Sequence, residues 1–349
     1  GVSPGRVVDL SGEPNVVQPE ARPPRDRQEA LRVRAAWLYH IEGMTQSEVA
    51  EHLDVSRIAV TRLLADARAR REVVVRVTSD IAVLVQMQAD LEGVLGLDRA
   101  IVVPMSSRRL DPTRSIAAAA GAYVSELMTD GMTIGVGWGR TLQTMLQYVE
   151  ARPLEDVRVI SLLGGIAKAR RFNPAEFAWQ FAELFAAEGY LIPAPAIVDS
   201  VQTRRALLEN CGLDEIFQMA ETCDAVLLSC GGIDALTTSY RVGYVSERER
   251  RSLAESGAIG DVLYNFLDRD GRIVPHPVNA RAVAMPLERL ARVRNRVLIS
   301  GGPEKVEVID AIVRSLQPHT LVTDEVTALA LLKRRDQPSA QGRERHAAD

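Results

Sequence analysis

The strongest pattern along the chain is a pair of short amphipathic segments at 45–71, TQSEVAEHLDVSRIAVTRLLADARARR. Thr45 with Glu48 three residues later forms a capping box, a helix start signal. Val49, Ala50 and Leu53 then share one helical face. Ser56 is a second N-cap, and Ile58, Ala59, Leu63 and Leu64 follow at helical spacing. Only Asp54 and Val55 are left for the turn, so the two helices must cross closely. Small Ala50 suits that contact, and Val55, Val60 and Leu63 complete a small core. Upstream, Leu31, Ala35, Leu38 and Ile41 predict a helix from residue 25 that Gly43 ends, with Trp37 assigned to its core. Residues 1–24, rich in Pro, Gly and polar side chains, read as a disordered leader. Downstream, 72–77 (EVVVRV) predicts a strand, suited to a small wing.

Residues 81–95 carry Ile81, Leu84, Val85, Met87, Leu91 and Leu95 at helical spacing, with Gly96 as the stop. That helix either links two domains and pairs with a partner subunit, or packs as an ordinary helix of the next domain. From residue 97 the pattern alternates. Strands are predicted at 101–103, 132–136, 157–162, 225–229, 297–300 and 321–323. Helices are predicted at 113–129, 141–149, 174–188, 213–222, 247–256, 305–315 and 325–332. Such alternation predicts a mainly parallel sheet with helices on both faces, here one α/β unit over 97–333 with room for a small inserted layer. From Arg334 to the end the chain is polar and reads as a frayed tail. The domain plan is therefore 1–24, 25–80, 81–96, 97–333 and 334–349.

Composition changes this picture little. A chain of 349 residues with 46% hydrophobic and 25% charged residues is an ordinary globular one with room for two or three domains. The net charge of -4 does not argue against nucleic acid, because the local field at a contact is what matters. Cys211, Cys223 and Cys230 make neither a metal-binding spacing nor an even disulfide set, and each reads as a small buried side chain. The five histidines, scattered from His40 to His346, include no pair at a zinc-ligand spacing. No metal, cofactor or catalytic residue is therefore assigned. No apolar run reaches membrane-spanning length and no signal peptide is visible, so no membrane partner is expected and the cytoplasm is the default. The leading Gly1 carries no weight in this reading.

The segment 45–71 resembles the bacterial helix-turn-helix signature. With Gln46 as its first position, Ala50 is fifth, Val55 tenth, Val60 fifteenth and Leu63 eighteenth. Asp54 stands ninth, where the signature usually has Gly, and Asp tolerates the left-handed turn better than most residues. The second helix and its end carry Arg57, Arg62, Arg68, Arg70 and Arg71 against one acid, Asp66. In this docking mode the N-terminal end of the second helix meets base edges in double-stranded DNA. Gln46, Ser56, Arg57, Ala59 and Thr61 are the candidates there, while Arg62, Arg68, Arg70 and Arg71 would contact phosphates. The bland alternative is a solvated basic helix in some other hairpin. Two-fold operators also require a symmetric oligomer.

In the α/β unit, several predicted strands run into glycine loops, where such sheets form ligand crevices. The clearest is 135–141 (GVGWGRT). Its glycines allow a ligand close to the backbone, and Arg140, Thr141 and the following helix start offer donors to an anion. It is neither a Walker motif nor a dinucleotide fingerprint, and a tight structural turn would look the same. Related loops are 163–165 (LGG), 229–233 (SCGGI), 257–261 (GAIGD) and 300–305 (SGGPEK). Asp261 could accept from sugar hydroxyls or cap an element. Lys305 could neutralise a phosphate or stand free on the surface. Leu163 before the Gly164–Gly165 pair leaves no basic group for a second phosphate there, although Lys168, Arg170 and Arg171 lie just beyond. A monophosphorylated sugar and an unphosphorylated polyol both remain open.

The helix-turn-helix with Gly137–Thr141, LGG at 163–165, PAPAIV at 193–198, GAIGD at 257–261, GGPEK at 301–305 and LVTDE at 321–325 together resemble the SorC family of sugar-responsive transcriptional regulators, over about residues 30–333. That resemblance implies a Rossmann-like effector domain similar in fold to ribose-phosphate isomerases and glucosamine-phosphate deaminases. It also implies a sugar, sugar phosphate or polyol effector and a homodimer or homotetramer. Its effector site would take Gly137, Trp138, Gly139, Arg140, Thr141, Asp261 and Lys305, with Asn173, Glu176 and Arg241 added from their positions near the expected crevice. The competing class is a sugar-phosphate isomerase or deaminase with an appended DNA-binding domain. Asp261, Glu247 and Glu249 are available carboxylates for it, but they do not assemble with a histidine into an acid–base set.

Overall fold

The computed structural model describes residues 27–75, 82–105, 111–166, 173–234 and 245–336. The chain divides into two compact units, residues 1–73 and 74–349.

The first unit holds three helices, α1 (Arg27–His40), α2 (Gln46–Leu53) and α3 (Arg57–Ala69). Ala35, Ala36, Val49, Ala50, Val60, Leu64 and Ala67 form its core. Small side chains let the helices close on one another, with Leu38 and Tyr39 of α1 packing at the margin of this core and Trp37 facing outward. Trp37 is 58% exposed and Ile41 65%, so the expectation of a core tryptophan is corrected. Ile58 on α3 is likewise exposed rather than core. The predicted helix is present and ends at His40, three residues before Gly43, which stands at φ 73°. Buried Arg32 instead reaches Glu72 through two 2.6 Å hydrogen bonds, tying the chain beyond α3 back to α1. Glu72–Val75, expected to begin a wing strand, form no strand, and 76–77 lie outside the described residues.

The second unit is built on a parallel sheet of seven strands: β1 (Arg99–Val103), β2 (Thr133–Val136), β3 (Arg158–Gly165), β4 (Glu188–Pro195), β5 (Ala225–Leu228), β9 (Arg296–Ile299) and β10 (Thr320–Asp324). Their order is β1-β10-β9-β5-β2-β3-β4. The remaining strands, β6 (Gly231–Gly232), β7 (Gly260–Val262) and β8 (Asn265–Leu267), form the small antiparallel layer. Alternate residues of the large sheet enter two cores. Ala225 and Leu227 join one with α5 (Thr113–Leu127), α6 (Arg140–Met145) and α7 (Pro174–Leu184). Val226 and Leu228 join the other with α4 (Ala82–Leu95), α9 (Asp214–Glu221), α13 (Val306–Leu316) and α14 (Glu325–Asp336). The other described helices are α8 (Val201–Arg205), α10 (Glu247–Glu255), α11 (Pro277–Arg281) and α12 (Leu287–Leu290).

The helix predicted over 81–95 is α4, and one side of it packs within this unit. Leu84, Met87 and Leu91 of α4 are buried. Gln88 and Glu92 accept hydrogen bonds from the backbone N–H groups of Val102 and Ala100. Four helix residues span about 6 Å and two strand residues about 6.6 Å, so this spacing lets α4 satisfy the free edge of β1.

β4 was not foreseen, and the predicted helix 174–188 ends earlier, at Leu184. Pro193 and Pro195 argue against a strand, but β4 is an edge where missing donors are tolerated. The LGG loop expected at 163–165 is instead the end of β3. A Cβ on Gly164 would stand 2.5 Å from the Ala194 carbonyl, so glycine here admits β4 rather than a ligand. The expected frayed tail begins later than Arg334. α14 continues to Asp336, and Arg334 and Arg335 both pair with buried Asp310. Cys211 is exposed, unlike Cys223 and Cys230.

Candidate functional sites

In the three-helix unit the local chemistry follows the sequence closely. The N–H of Glu48 donates to Thr45 Oγ1 at 3.3 Å, and the N–H of Thr45 donates to the Glu48 carboxylate at 2.7 Å. This holds the Glu48 carboxyl below the usual carboxylate range. α2 ends in a Schellman pair: the N–H of Val55 donates to the Ala50 carbonyl and that of Asp54 to the Glu51 carbonyl. Asp54 stands at φ 53°, the left-handed conformation its position demands. Ser56 Oγ accepts from the N–H of Ala59 at 3.1 Å and starts α3.

The candidate base-reading residues Ser56, Arg57 and Thr61 are exposed at the start of α3, with Ala59 half-buried. The Thr61 hydroxyl lies 3.1 Å from Gln46 Oε1, which braces α3 against the first residue of α2. Arg62 and Arg70 are exposed and Arg71 is half-buried. Arg68, expected to contact phosphates, is less open than Arg62 and Arg70. It is half-buried, its Nε is shielded without a hydrogen-bond partner, and its charge together with burial lowers the His40 pKa.

In the α/β unit the chain runs β2, β3, β4 toward one edge, then restarts at β5 on the other side of β2 and continues to β9 and β10. The order reverses between β2 and β5. Open α/β sheets bind ligands at such a switch point, outside the strand C-termini. The two loops that leave it are 137–139 and 229–230. The N–H of Gly137 donates to the Leu227 carbonyl at 2.8 Å, joining them. A Cβ at Gly137 would come within 2.9 Å of the end of the Leu263 side chain and 3.2 Å of the Leu227 carbonyl, so a larger residue here would make Leu263 shift.

Several predicted residues converge here. Trp138 is buried and stacks on Tyr264, ring centroids 5.6 Å apart. Gly139 precedes α6 at φ 140°, and Thr141 is buried in the first turn. Asp261, on β7 opposite Gly231, accepts from the N–H of Tyr264 at 3.0 Å. Burial pushes its carboxyl up to about 7, while that hydrogen bond and the Lys305 charge oppose the rise. Lys305 ends a 3-10 turn, Pro303–Lys305, and is the N-cap of α13, at the helix start where it was expected. The same lysine charge acts on the Cys230 thiol, which burial pushes up to about 11 and which lies 3.2 Å from Ser300 Oγ. The loop before Lys305 is anchored from below. The N–H of Gly302 donates to Asp324 and to Thr327 Oγ1, and Thr327 in turn donates to Asp324.

Other candidates do other work. Asn173 caps α7, its carbonyl oxygen accepting from Ala175 and its amide donating to Ile166. Glu176 accepts from Gln180, which accepts from Gln143, so it belongs to a bridge between α7 and α6. Arg241 and the cluster Lys168, Arg170 and Arg171 lie outside the described residues. The sequence reading missed Tyr264 and Asp111. Tyr264 sits with Leu263 in the two-residue turn between β7 and β8, at φ 57° and 52°. Such turns usually announce themselves by Asn-Gly, which this one lacks. Asp111 had a readable signal, an acidic residue two before Thr113 at a helix start, and it pairs with Arg140 at 2.9 Å.

A three-helix DNA-reading unit followed by an α/β unit with glycine loops gathered at its switch point is the build of a ligand-responsive transcriptional regulator. Comparison with known proteins agrees for both parts. Residues 79–333 match the family model described as "Putative sugar-binding domain", and residues 26–73 match a homeodomain-like domain. The chain is 30% identical to the erythritol catabolism regulatory protein EryD of Brucella abortus, over 88% of this chain and 98% of that one. It is 29% identical to the deoxyribonucleoside regulator of Bacillus subtilis, with 88% and 98% covered. The full-length sorbitol operon regulator SorC of Klebsiella pneumoniae shares the fold, with a TM-score of 0.65, 24% identity, and 87% and 98% covered. The chain belongs to the SorC family of sugar-binding transcriptional regulators. No described helix is long and apolar enough to cross a membrane.

Proposed function

We propose that this regulator controls a carbohydrate or polyol catabolic operon. It binds a two-fold operator as a homodimer or homotetramer, in the cytoplasm and without enzymatic activity. Arg57, Ser56, Ala59 and Thr61 at the start of α3 face base edges, braced by Gln46, and Arg62, Arg70 and Arg71 face phosphates. A sugar, sugar phosphate or polyol binds among Gly137, Trp138, Gly139, Arg140, Thr141, Asp261 and Lys305. It changes operator affinity by binding the DNA-competent and DNA-incompetent arrangements unequally. The observation that carries this reading is the convergence of Trp138, Asp261 and Lys305, distant in sequence, at the switch point of the sheet.

The names of the relatives, which concern erythritol, deoxyribonucleosides and sorbitol, support this effector class. An isomerase or deaminase is disfavoured, because among the described residues no histidine is recorded in contact with Asp261, and the relatives are regulators.

The test is fluorescence anisotropy on DNA from upstream of the protein's own gene, with and without a pool of polyols, sugars and their phosphates. Arg57→Ala should weaken specific binding by about 10- to 100-fold, the worth of one good base contact, and leave ligand binding intact. Lys305→Ala should keep DNA binding and lose the response to the pool. Equal loss of both functions in both variants would refute the division of roles.

A further inference from the structure

The charges around the crevice bear on its effector, provided the crevice is the effector site. Arg140 is the cation of the glycine loop, and it is already engaged. Asp111 Oδ2 lies 2.9 Å from its guanidinium. The Asp111 carboxylate is not a loose surface group. Its other oxygen accepts from both the N–H and the hydroxyl of Thr113, at 3.0 and 2.6 Å, in the first turn of α5. Arg140 and Lys305 both act on this carboxylate and help hold it below its usual range, despite partial burial that opposes them. Asp111 is thus a fixed anion within reach of the two cations that the site offers.

Among the described residues, the other groups here add no positive charge. Lys305 also faces Asp261, and Glu304 stands beside it in the same loop with its charge reaching Cys230. Two cations, Arg140 and Lys305, meet two carboxylates, Asp111 and Glu304, and the buried acid Asp261. α6 spans Arg140–Met145 only, too short to supply much of a helix dipole, and it has no side-chain cap. A phosphate dianion entering here would have to displace or tolerate a like charge that is held in place by two hydrogen bonds. Uncharged hydroxyls meet no such opposition: fixed carboxylates accept from them and the cations donate to them.

We propose that Asp111 is a specificity-determining residue that selects an unphosphorylated polyhydroxy effector, a polyol or free sugar, over its phosphate ester. By neutralising Arg140 it removes the positive field that a phosphate requires. Asp111→Asn keeps an oxygen acceptor for the N–H and hydroxyl of Thr113 at the start of α5, and frees Arg140 for an anion.

The experiment measures binding by calorimetry on the full chain with matched pairs: erythritol, D-ribose and D-sorbitol, each beside its phosphate monoester, with inorganic phosphate as the anion control. The wild type should bind the uncharged member of at least one pair more tightly than its ester. Asp111→Asn should shift that ratio toward the ester by about tenfold, the scale of one like charge removed from a partly solvated site. Asp111→Ser, which also removes the charge and keeps an acceptor oxygen, should shift it in the same direction. A wild-type preference for the ester would overturn this inference and leave the crevice as the effector site. An unchanged ratio in both variants would do the same. No binding of any pair by any variant would overturn the inference and the reading of the crevice together.

Discussion

Both units turn the chain through a left-handed conformation without glycine, and they do so on opposite terms. Asp54, between α2 and α3, is exposed, and both hydrogen bonds of its turn run to carbonyls three and five residues back. Leu263 and Tyr264, between β7 and β8, are buried at 2% and 0% exposure. Their turn is held by groups from elsewhere as well as nearby: the Asp261 carboxylate, and Asn265, whose amide donates to the carbonyls of Val262, Leu263 and Met285. Left-handed backbone at a bulky residue costs about 1–3 kcal/mol. At Asp54 the cost is small and the turn merely connects. At Tyr264 tertiary packing sustains it, and the result is an aromatic ring set beneath Trp138 at the switch point.

The largest expected effect comes from removing that ring. Tyr264→Gly relieves the backbone strain but empties a fully buried aromatic site, which costs about 3–5 kcal/mol in comparable truncations. Net destabilisation of the α/β unit by about 2–4 kcal/mol should follow in urea denaturation, because the strain recovered is smaller than the packing lost. A variant as stable as the wild type would mean that the turn, not the ring, dominates at this position.

The same contrast governs what could be read from the sequence. The helix-turn-helix was legible because its signals are local. Thr45, Glu48, Asp54 and Ser56 each act within five residues of themselves. What failed there was the outward face of α1, because alanines rather than Trp37 and Ile41 fill the contact with α3. In the α/β unit the strands of the interior were legible as apolar runs, and β4 was not, because an edge can carry Pro193 and Pro195. Of the candidate crevice, the glycine loop, Asp261 and Lys305 were visible as motifs. Tyr264 was not, since nothing in VLYN signals a turn whose cost is met by residues from other loops. Asn173 and Glu176 were placed near the right strand end, but their side chains are engaged in capping and bridging.

A second prediction concerns Asp261, the carboxyl that helps hold the buried turn. Its pKa stands at about 7 in the folded chain against 3.8 for an ordinary aspartate. The folded state therefore keeps a proton that the unfolded state has lost. This contribution to stability is complete below pH 4 and disappears as pH rises through about 7, with an upper limit of about 4 kcal/mol. Urea denaturation of the wild type should show stability falling from pH 5 to pH 8. Asp261→Asn, which keeps an acceptor for the Tyr264 N–H and carries no charge, should flatten that fall. Equal slopes in the two proteins would assign the pH dependence to other groups.

The smallest effect is the mirror of the first. Asp54→Gly places in the ninth position of the helix-turn-helix the residue that the signature usually has. Glycine adopts the left-handed conformation without strain, while the unfolded chain gains freedom that opposes folding by about 0.5–1 kcal/mol. Aspartate in that conformation costs part of the roughly 1–2 kcal/mol charged to residues with a Cβ. Asp54 is exposed, and its substitution forfeits no burial. The three-helix unit should thus gain a few tenths of a kcal/mol in thermal denaturation, opposite in sign to Tyr264→Gly although both changes put glycine at a left-handed turn. A loss of more than about 1 kcal/mol would show that the Asp54 carboxylate does more than tolerate its turn. The two units would then differ less than their burial implies.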